Sequence, residues 1–169
     1  GANAAVSIVE FSDMQCPFCH RAHSDLEKNL ITAYGDKVRW VFKHFPLTSI
    51  HPWAYPAAIA IACAERQKND AAWKLQAALF HEQESVTPGN LREKAVAQAK
   101  KSGLKIPAFE TCVDKQETKD RVEADWYWTS DELDGSCAWG QYFDYGNQNN
   151  NHKSYEGRAV AVRLIQLTA

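Results

Sequence analysis

The hydrophobic pattern of the first 45 residues alternates between strand-like and helix-like segments. Residues 6–11 are β-prone and apolar on both faces except at Glu10, which is typical of a strand covered by helices. From Pro17 to about Tyr34 an apolar residue recurs every fourth position, and Gly35 follows as a stop, so we predict a helix. Residues 38–45 predict a second strand, which completes a βαβ unit. The helical stripe consists of Phe18, Ala22, Leu26 and Leu30.

The segment 53–125 has a helical pattern almost throughout. We predict one helix over 57–66 and a second that is capped by Asn69 or Asp70. A third is announced by Thr87-Pro88, or by a capping box from Asn90 to Glu93, and stops at Gly103. A fourth begins near Pro107. The second helix is expected to bury Trp73, Ala77 and Phe80, and the fourth carries Phe109, Cys112, Val113 and Val122.

The pattern changes at Trp126, where the tail becomes rich in aromatic residues and asparagine. Two strand-like runs, 138–145 and 158–167, flank a turn-forming segment, 146–151, and predict an antiparallel hairpin. The alternative is a flexible appendage. We therefore predict an α/β fold, with a βαβ unit over 1–52, an all-helical insertion over 53–125 and a hairpin over 126–169 that completes the sheet.

Composition narrows the class of protein further. The 169 residues are 45% hydrophobic and 24% charged with a formal net charge of -2, which is typical of a soluble globular protein. There is no strongly basic block, so nucleic acid and acidic membrane surfaces are not expected partners. The longest apolar run, 56–64, is shorter than the roughly 18 residues that a membrane span requires. The chain starts at Gly1 rather than Met, and we expect that a leader was removed by processing or by cloning.

Five cysteines in a chain of this size indicate redox chemistry or metal binding, and they favour an oxidising compartment. Cys16-Pro17-Phe18-Cys19 lies where the first strand gives way to the first helix. Cys16 is expected at or near the N-cap, where unpaired N–H groups and the helix dipole favour a thiolate. Such a site lowers the pKa of a thiol to roughly 3.5–7.5 from about 8.5. Cys19, one turn later on the same side, can resolve a mixed disulfide.

Other interpretations of this motif need other residues. Pro17 fits the first helical turn, and His20 either adds positive charge or is simply solvated. A lone Cys-x-x-Cys can also be half of a zinc site. The chain has no second Cys-x-x-Cys and no His pair at zinc-ligand spacing, so we favour redox chemistry.

The segment Val9-Glu10-Phe11-Ser12-Asp13, with Cys16-Pro17-Phe18-Cys19 after it, resembles the active-site segment of the DsbA-like branch of thioredoxin-fold proteins. The Ala-rich helix and residues 109–114 resemble the same branch, and the likeness covers about residues 3–125. The resemblance implies that Cys16 is the nucleophile and Cys19 the resolving cysteine. It also implies that Glu10 is a buried acid beneath the disulfide, able to move protons during exchange, with Lys43 as its partner. A structural ion pair, or exposure at the strand edge, is the alternative for Glu10 and Lys43.

The chain departs from this family at the loop that faces the reactive disulfide. Family members carry a cis-proline there, whereas this chain has no proline after Pro107, and Ile106-Pro107 precedes a helix of the insertion. By position, Cys137 takes the place of that proline. A third sulfur near Cys16 would permit an alternative disulfide or metal capture. The simpler alternative is a free thiol on a turn.

Two further features concern the rest of the chain. The tail weakly resembles the end of repeated bacterial surface domains with a C-type-lectin-like fold, which suggests a recombined or engineered chain. Cys63 and Cys112 lie on what are predicted to be inward faces of separate helices. They form either a structural disulfide or two buried thiols, and the sequence leaves both open.

We therefore predict a thiol–disulfide oxidoreductase that acts on cysteine-containing proteins, needs no dissociable cofactor or metal and works with a redox partner protein. Its direction of exchange depends on a reduction potential that spans about -270 to -120 mV across such proteins. We expect it to be periplasmic or secreted. Two other classes stay open: a binding module that uses the aromatic and Asn-rich tail, and a metal or cluster binder that uses Cys16, Cys19 and Cys137.

Overall fold

The computed structural model describes residues 4, 6–127 and 161–166. Within this part the chain divides into two compact units. The first contains the chain up to Ser12, the segment Cys16–Lys43 and the strand at 161–166. The second contains the segment Asp13–Gln15 and the chain from His44 onward through the helices. The domain boundaries predicted at residues 52 and 125 stay a prediction.

The first unit is built on a sheet of three strands: β1 (Val6–Ser12), β2 (Val38–His44) and β3 (Ala161–Gln166). Their order in the sheet is β2-β1-β3, so β1 is central, and six of its seven residues are buried. This burial explains why Glu10 is the only charged residue of β1, whose other polar residues are Ser7 and Ser12. β3 pairs antiparallel with β1, in a register that sets Val6 opposite Gln166 and Phe11 opposite Ala161. The predicted final strand is therefore confirmed, while the predicted run 138–145 lies outside the described residues.

A long helical segment connects β1 and β2. It comprises α1 (Pro17–Asp25), a π-helical stretch (Leu26–Ile31), α2 (Thr32–Tyr34) and a 3₁₀ turn (Gly35–Lys37). The helix stops where expected, because Gly35 adopts φ +52°, a conformation that favours glycine. The predicted buried stripe is wrong by one residue. The buried side chains of α1 are Cys19 and His23, whereas Phe18 and Ala22 are half-buried.

The second unit contains five helices within the described residues. They are α3 (Ala54–Gln67), α4 (Asn69–His81), α5 (Leu91–Lys101), α6 (Ile106–Asp114) and α7 (Lys119–Tyr127). α3 is buried from Ala57 to Ala64 and packs against α4, α5, α6 and α7, so it is the central helix of this unit. None of the described helices is long and apolar enough to cross a membrane.

Three details of the helical prediction need correction. α4 has Lys68 rather than Asn69 or Asp70 at its N-cap, and it buries Leu75, Gln76 and Leu79 while Ala77 is exposed and Trp73 half-buried. The Asn90–Glu93 capping box does not form. Instead Asn90 Oδ1 accepts from the Thr87 N–H at 2.8 Å, and Thr87 Oγ1 accepts from the Asn90 N–H at 3.3 Å. The predicted fourth helix is two helices, α6 and α7, because the chain turns through Gln116 at φ +50°.

Candidate active site

Cys16 and Cys19 lie at the start of α1, as the sequence predicted. Cys16 is the N-cap residue in an extended conformation, and Pro17 occupies the first turn, where a missing N–H is tolerated. The Cys16 carbonyl accepts a hydrogen bond from the His20 N–H at 3.1 Å, which closes the first helical turn. The positive end of the helix dipole therefore lies beside Cys16.

Both cysteines are buried, whereas the two residues between them are more exposed. Cys16 is 2% exposed and Cys19 is 0% exposed, while the intervening Pro17 is exposed and Phe18 is half-buried. The guanidinium of Arg21 lies 5.3 Å from the centre of the Phe18 ring, a cation–π arrangement. The segment between the cysteines is thus the more exposed part of the motif, and Cys19 is shielded from water.

Glu10 lies on β1 and is completely buried, at 0% exposure. Its Oε2 lies 3.0 Å from His23 Nδ1 and its Oε1 lies 3.3 Å from the same nitrogen. The indole N–H of Trp40, on β2, donates to Oε2 at 3.0 Å. Burying a carboxylate without partners is costly, so these two contacts make the position tolerable for an acid.

His23 lies in an aromatic slot formed by β2. Its ring centre is 4.5 Å from that of Trp40, and 6.2 Å from that of Phe42 in an edge-on arrangement. His23 is 6% exposed. The sequence prediction selected His20, which is half-buried, and missed His23. A signal was present: His23 follows Cys19 by four residues, which places both on the same face of a helix.

The other predicted site residues have different outcomes. Lys43 lies half-buried on β2, and its pairing with Glu10 stays a prediction. Cys137 lies outside the described residues. Cys63 on α3 and Cys112 on α6 are joined in a disulfide, with 5.9 Å between their Cα atoms, so the structure contains the first of the two alternatives that the sequence left open.

A second buried carboxylate organises the segment Asp13–Gln15 within the second unit. Asp13 Oδ2 accepts from the Leu47 N–H at 2.6 Å and lies 2.9 Å from His51 Nδ1, and Oδ1 accepts from the Gln15 N–H at 2.7 Å. Gln15 Oε1 in turn accepts from the Trp53 N–H at 2.8 Å. Asp13, part of the segment that carried the family resemblance, therefore has a structural task in this unit.

The residues that the structure describes give no support for a metal site. Within 4, 6–127 and 161–166, no group of three or more His, Cys, Asp or Glu side chains is arranged to hold a metal ion. Cys16 and Cys19 would need a ligand from elsewhere to complete a tetrahedral site.

Comparison with known proteins places this geometry in a family. A family model described as thioredoxin matches residues 1–131. The crystal structure of alpha-DsbA1 from Wolbachia pipientis matches with a TM-score of 0.58 and 26% identity, covering 79% of this chain and 66% of that one. The oxidised BdbD of Bacillus subtilis matches with a TM-score of 0.61 and 26% identity, covering 77% of this chain and 71% of that one.

A curated relative has a different description. The Na(+)/H(+) antiporter NhaA 3 of Salinispora tropica is 28% identical over 166 residues, which is 98% of this chain but 24% of that protein. This chain thus spans about a quarter of the length of the curated relative that it matches. The chain belongs to the thioredoxin family and has the α/β fold of its DsbA-like members.

Proposed function

We propose that this protein is a thiol–disulfide oxidoreductase that exchanges disulfides with cysteine-containing proteins through Cys16 and Cys19. The observation that carries the proposal is the position of Cys16 at the N-cap of α1, with Cys19 one turn further along the same helix. Helix N-termini stabilise a thiolate, and the thiolate is the form that attacks a disulfide or leaves from one. Membership of the thioredoxin family supports the same activity.

The reaction needs only the two sulfurs and the substrate. A substrate thiolate attacks Sγ of Cys16 in the Cys16–Cys19 disulfide, and the bond breaks with its electron pair going to Sγ of Cys19. A second substrate thiolate then attacks the substrate sulfur of the mixed disulfide and releases Cys16 as a thiolate. The substrate dithiol is oxidised by two electrons, and the protein disulfide is reduced by two. The reverse sequence reduces a substrate disulfide.

Access to Cys16 is the physical requirement of this mechanism. With Cys16 at 2% exposure, the surface around its sulfur must open before a substrate thiolate can reach it. Pro17 is exposed and Phe18 is half-buried, and both follow Cys16 directly in the chain. We therefore expect a substrate backbone to contact these two residues first. A substrate is therefore expected to bind along the Cys16–Cys19 segment before exchange begins.

The compartment and the partners follow from the same chemistry. The Cys63–Cys112 disulfide favours an oxidising environment, such as the periplasm or the extracellular space. A protein with one exchangeable disulfide needs a second protein that restores its starting state, so we include a redox partner in the proposal. The binding-module and metal-binding alternatives are less favoured, since neither accounts for the N-cap position of Cys16.

The test is an exchange assay with reduced, unfolded ribonuclease, and with insulin for the reductive direction. The wild-type protein is expected to accelerate at least one reaction over a glutathione buffer, and Cys16→Ser is expected to abolish that acceleration. Cys19→Ser is expected to accumulate a mixed disulfide, visible as a mass increase under non-reducing conditions. Cys63→Ala with Cys112→Ala is the matched control and should retain exchange. A wild-type protein that accelerates neither reaction would overturn the proposal.

A further inference from the structure

The segment of chain directly before Cys16 belongs to the second unit. β1 ends at Ser12, the segment Asp13–Gln15 lies in the second unit, and the chain returns to the first unit at Cys16. The segment is neither helix nor strand, and Asp13 and Met14 are each 1% exposed. Without a regular backbone pattern, its path depends on the hydrogen bonds that it makes with its surroundings.

The carboxylate of Asp13 is the centre of these contacts. Its Oδ2 accepts from the Leu47 N–H at 2.6 Å and lies 2.9 Å from His51 Nδ1. Its Oδ1 accepts from the Gln15 N–H at 2.7 Å, which closes a turn within the segment. A carboxylate has enough lone pairs for all three partners. The side chain of Asp13 is 1% exposed and that of His51 is 15% exposed, so water cannot easily replace the imidazole.

The other two residues of the segment have partners of their own in the same unit. Gln15 Oε1 accepts from the Trp53 N–H at 2.8 Å, directly before α3. The Met14 carbonyl accepts from the side-chain amide of Gln83 at 2.8 Å. Each of the three residues before Cys16 is therefore held by at least one hydrogen bond within the second unit.

The loop that supplies His51 is itself fixed by backbone hydrogen bonds. The Leu47 carbonyl accepts from the N–H groups of Ile50 at 3.0 Å and His51 at 2.9 Å. The His51 carbonyl accepts from the Ala54 N–H at 3.2 Å, at the start of α3. The backbone of His51 is thus held on both sides, and its imidazole meets Asp13 from a fixed position.

We propose that Asp13 and His51 are positioning residues for exchange: their contact fixes the segment Asp13–Gln15 and thereby keeps Cys16 at the N-cap of α1. This inference rests on the proposed function. One peptide bond joins Gln15 to Cys16, so a change in the path of the segment displaces Cys16. The stabilising effect of a helix N-terminus falls off within its first turn, so the thiolate of Cys16 benefits only while this residue stays at the N-cap.

The experiment measures how the rate at which iodoacetamide alkylates Cys16 depends on pH. The full chain carries Cys19→Ser and Cys137→Ser, so that Cys16 is the free thiol and Cys63 and Cys112 stay in their disulfide. The midpoint of the profile reports the pKa of Cys16, because the thiolate is the reactive form.

His51→Leu removes the partner of Asp13 and is expected to raise this midpoint by about one pH unit, a roughly tenfold loss of thiolate stability. His51→Asn supplies a side-chain N–H donor in place of Nδ1. It is therefore expected to keep the midpoint of the chain with His51 intact. A midpoint in His51→Asn as high as that in His51→Leu would contradict the proposal.

Asn90 provides a matched control for general loss of stability. Its Oδ1 accepts from the Thr87 N–H at 2.8 Å and its Nδ2 donates to the Ser85 carbonyl at 2.9 Å, so it organises another turn of the second unit. Asn90→Ala removes these contacts but none of those to the segment Asp13–Gln15, and its midpoint should not change. If Asn90→Ala raised the midpoint as much as His51→Leu, the effect would reflect stability rather than positioning.

The outcomes separate this inference from the proposed function. Absence of exchange activity in the wild-type protein would reject the function, whereas wild-type exchange with an unchanged midpoint in His51→Leu would reject the positioning role alone. Gln83→Leu covers the case in which His51→Leu does not fold, as judged by circular dichroism. It removes the hydrogen bond to the Met14 carbonyl and must then raise the midpoint, or the inference fails.

Discussion

Cys16 and Cys19 are three residues apart at the start of one helix, whereas Cys63 and Cys112 are 49 residues apart and join α3 to α6. The first pair can open and close with little movement of the chain, since one helical turn holds both sulfurs. The second pair constrains a long loop and restricts the unfolded chain. The two separations therefore agree with the proposed division of tasks, exchange for the first pair and stability for the second.

Their surroundings differ in the same sense. In the unit that holds the first pair, the fold buries Glu10 against His23. Around the second pair, Thr118 Oγ1 lies 3.5 Å from Cys63 Sγ and donates to the Ile59 carbonyl at 3.2 Å. Arg66 Nη1 lies 3.7 Å from Cys112 Sγ and pairs with Glu117 at 2.9 Å, and both charged side chains are exposed. The unit that holds the first pair thus buries a histidine–carboxylate pair, whereas the charged groups at the second pair are exposed.

The largest expected effect on stability comes from removing the second pair. Cys63→Ala with Cys112→Ala frees a loop of 49 residues, for which chain entropy predicts a loss of about 4 kcal/mol in the free energy of unfolding. Urea unfolding under non-reducing conditions measures it. Cys16→Ala with Cys19→Ala removes the closure of only a short loop, for which the same relation gives at most about 2 kcal/mol. Equal losses from the two double variants would contradict the division of tasks.

The next effect contrasts buried Glu10, in the unit of the Cys16–Cys19 pair, with Glu117, which pairs with Arg66 in the unit of the Cys63–Cys112 pair. Glu10→Ala leaves the indole N–H of Trp40 and the imidazole of His23 buried without their carboxylate, which is expected to cost about 1–3 kcal/mol. Glu117→Ala removes an exposed partner of Arg66 and is expected to cost at most about 1 kcal/mol. Both are read from urea unfolding at pH 7. A Glu117 effect as large as that of Glu10 would show that burial is not the deciding difference.

The sequence predicted the features that depend on the spacing of apolar residues and on stop signals. These features are β1, β2 and β3, the helix start at Pro17 and the inward positions of Cys63 and Cys112. The Glu10–His23 contact could not be predicted in this way, because histidine counts as a polar residue in an apolar stripe. The predicted buried face of α1 was therefore wrong by one residue. The buried Gln76 on α4 misled the prediction in the same way.

Backbone conformation gives a smaller effect that is expected to be similar in both units. Gly35 ends the helix after the reactive pair at φ +52°, and Gly103 follows α5 at φ +72°. An added Cβ meets nothing within 4 Å at either position, so Gly35→Ala and Gly103→Ala should each cost about 1–2 kcal/mol through backbone strain alone. Gly89→Ala, which involves no positive φ, is the control and should be close to neutral in thermal unfolding. If Gly35→Ala had no effect on stability, the positive φ of Gly35 would not be what ends this helix.

The smallest effect tests whether α6 is held by its disulfide or by its surface ion pair. Arg92 on α5 bonds both carboxylate oxygens of Asp114 at 2.8 Å, and this hydrogen bonding lowers the pKa of Asp114 from its ordinary value. Because the pKa of Asp114 is lower in the folded than in the unfolded protein, its ionised form stabilises the fold at pH values above the unfolded pKa, which is near 4. This stabilisation is lost as the pH falls through the folded pKa. Arg92→Gln should therefore raise the pKa of Asp114, measured by NMR titration, while unfolding at pH 7 hardly changes because both side chains are exposed. If Arg92→Gln destabilised the protein as much as loss of the Cys63–Cys112 disulfide, the ion pair rather than the disulfide would be what fixes α6 in this unit.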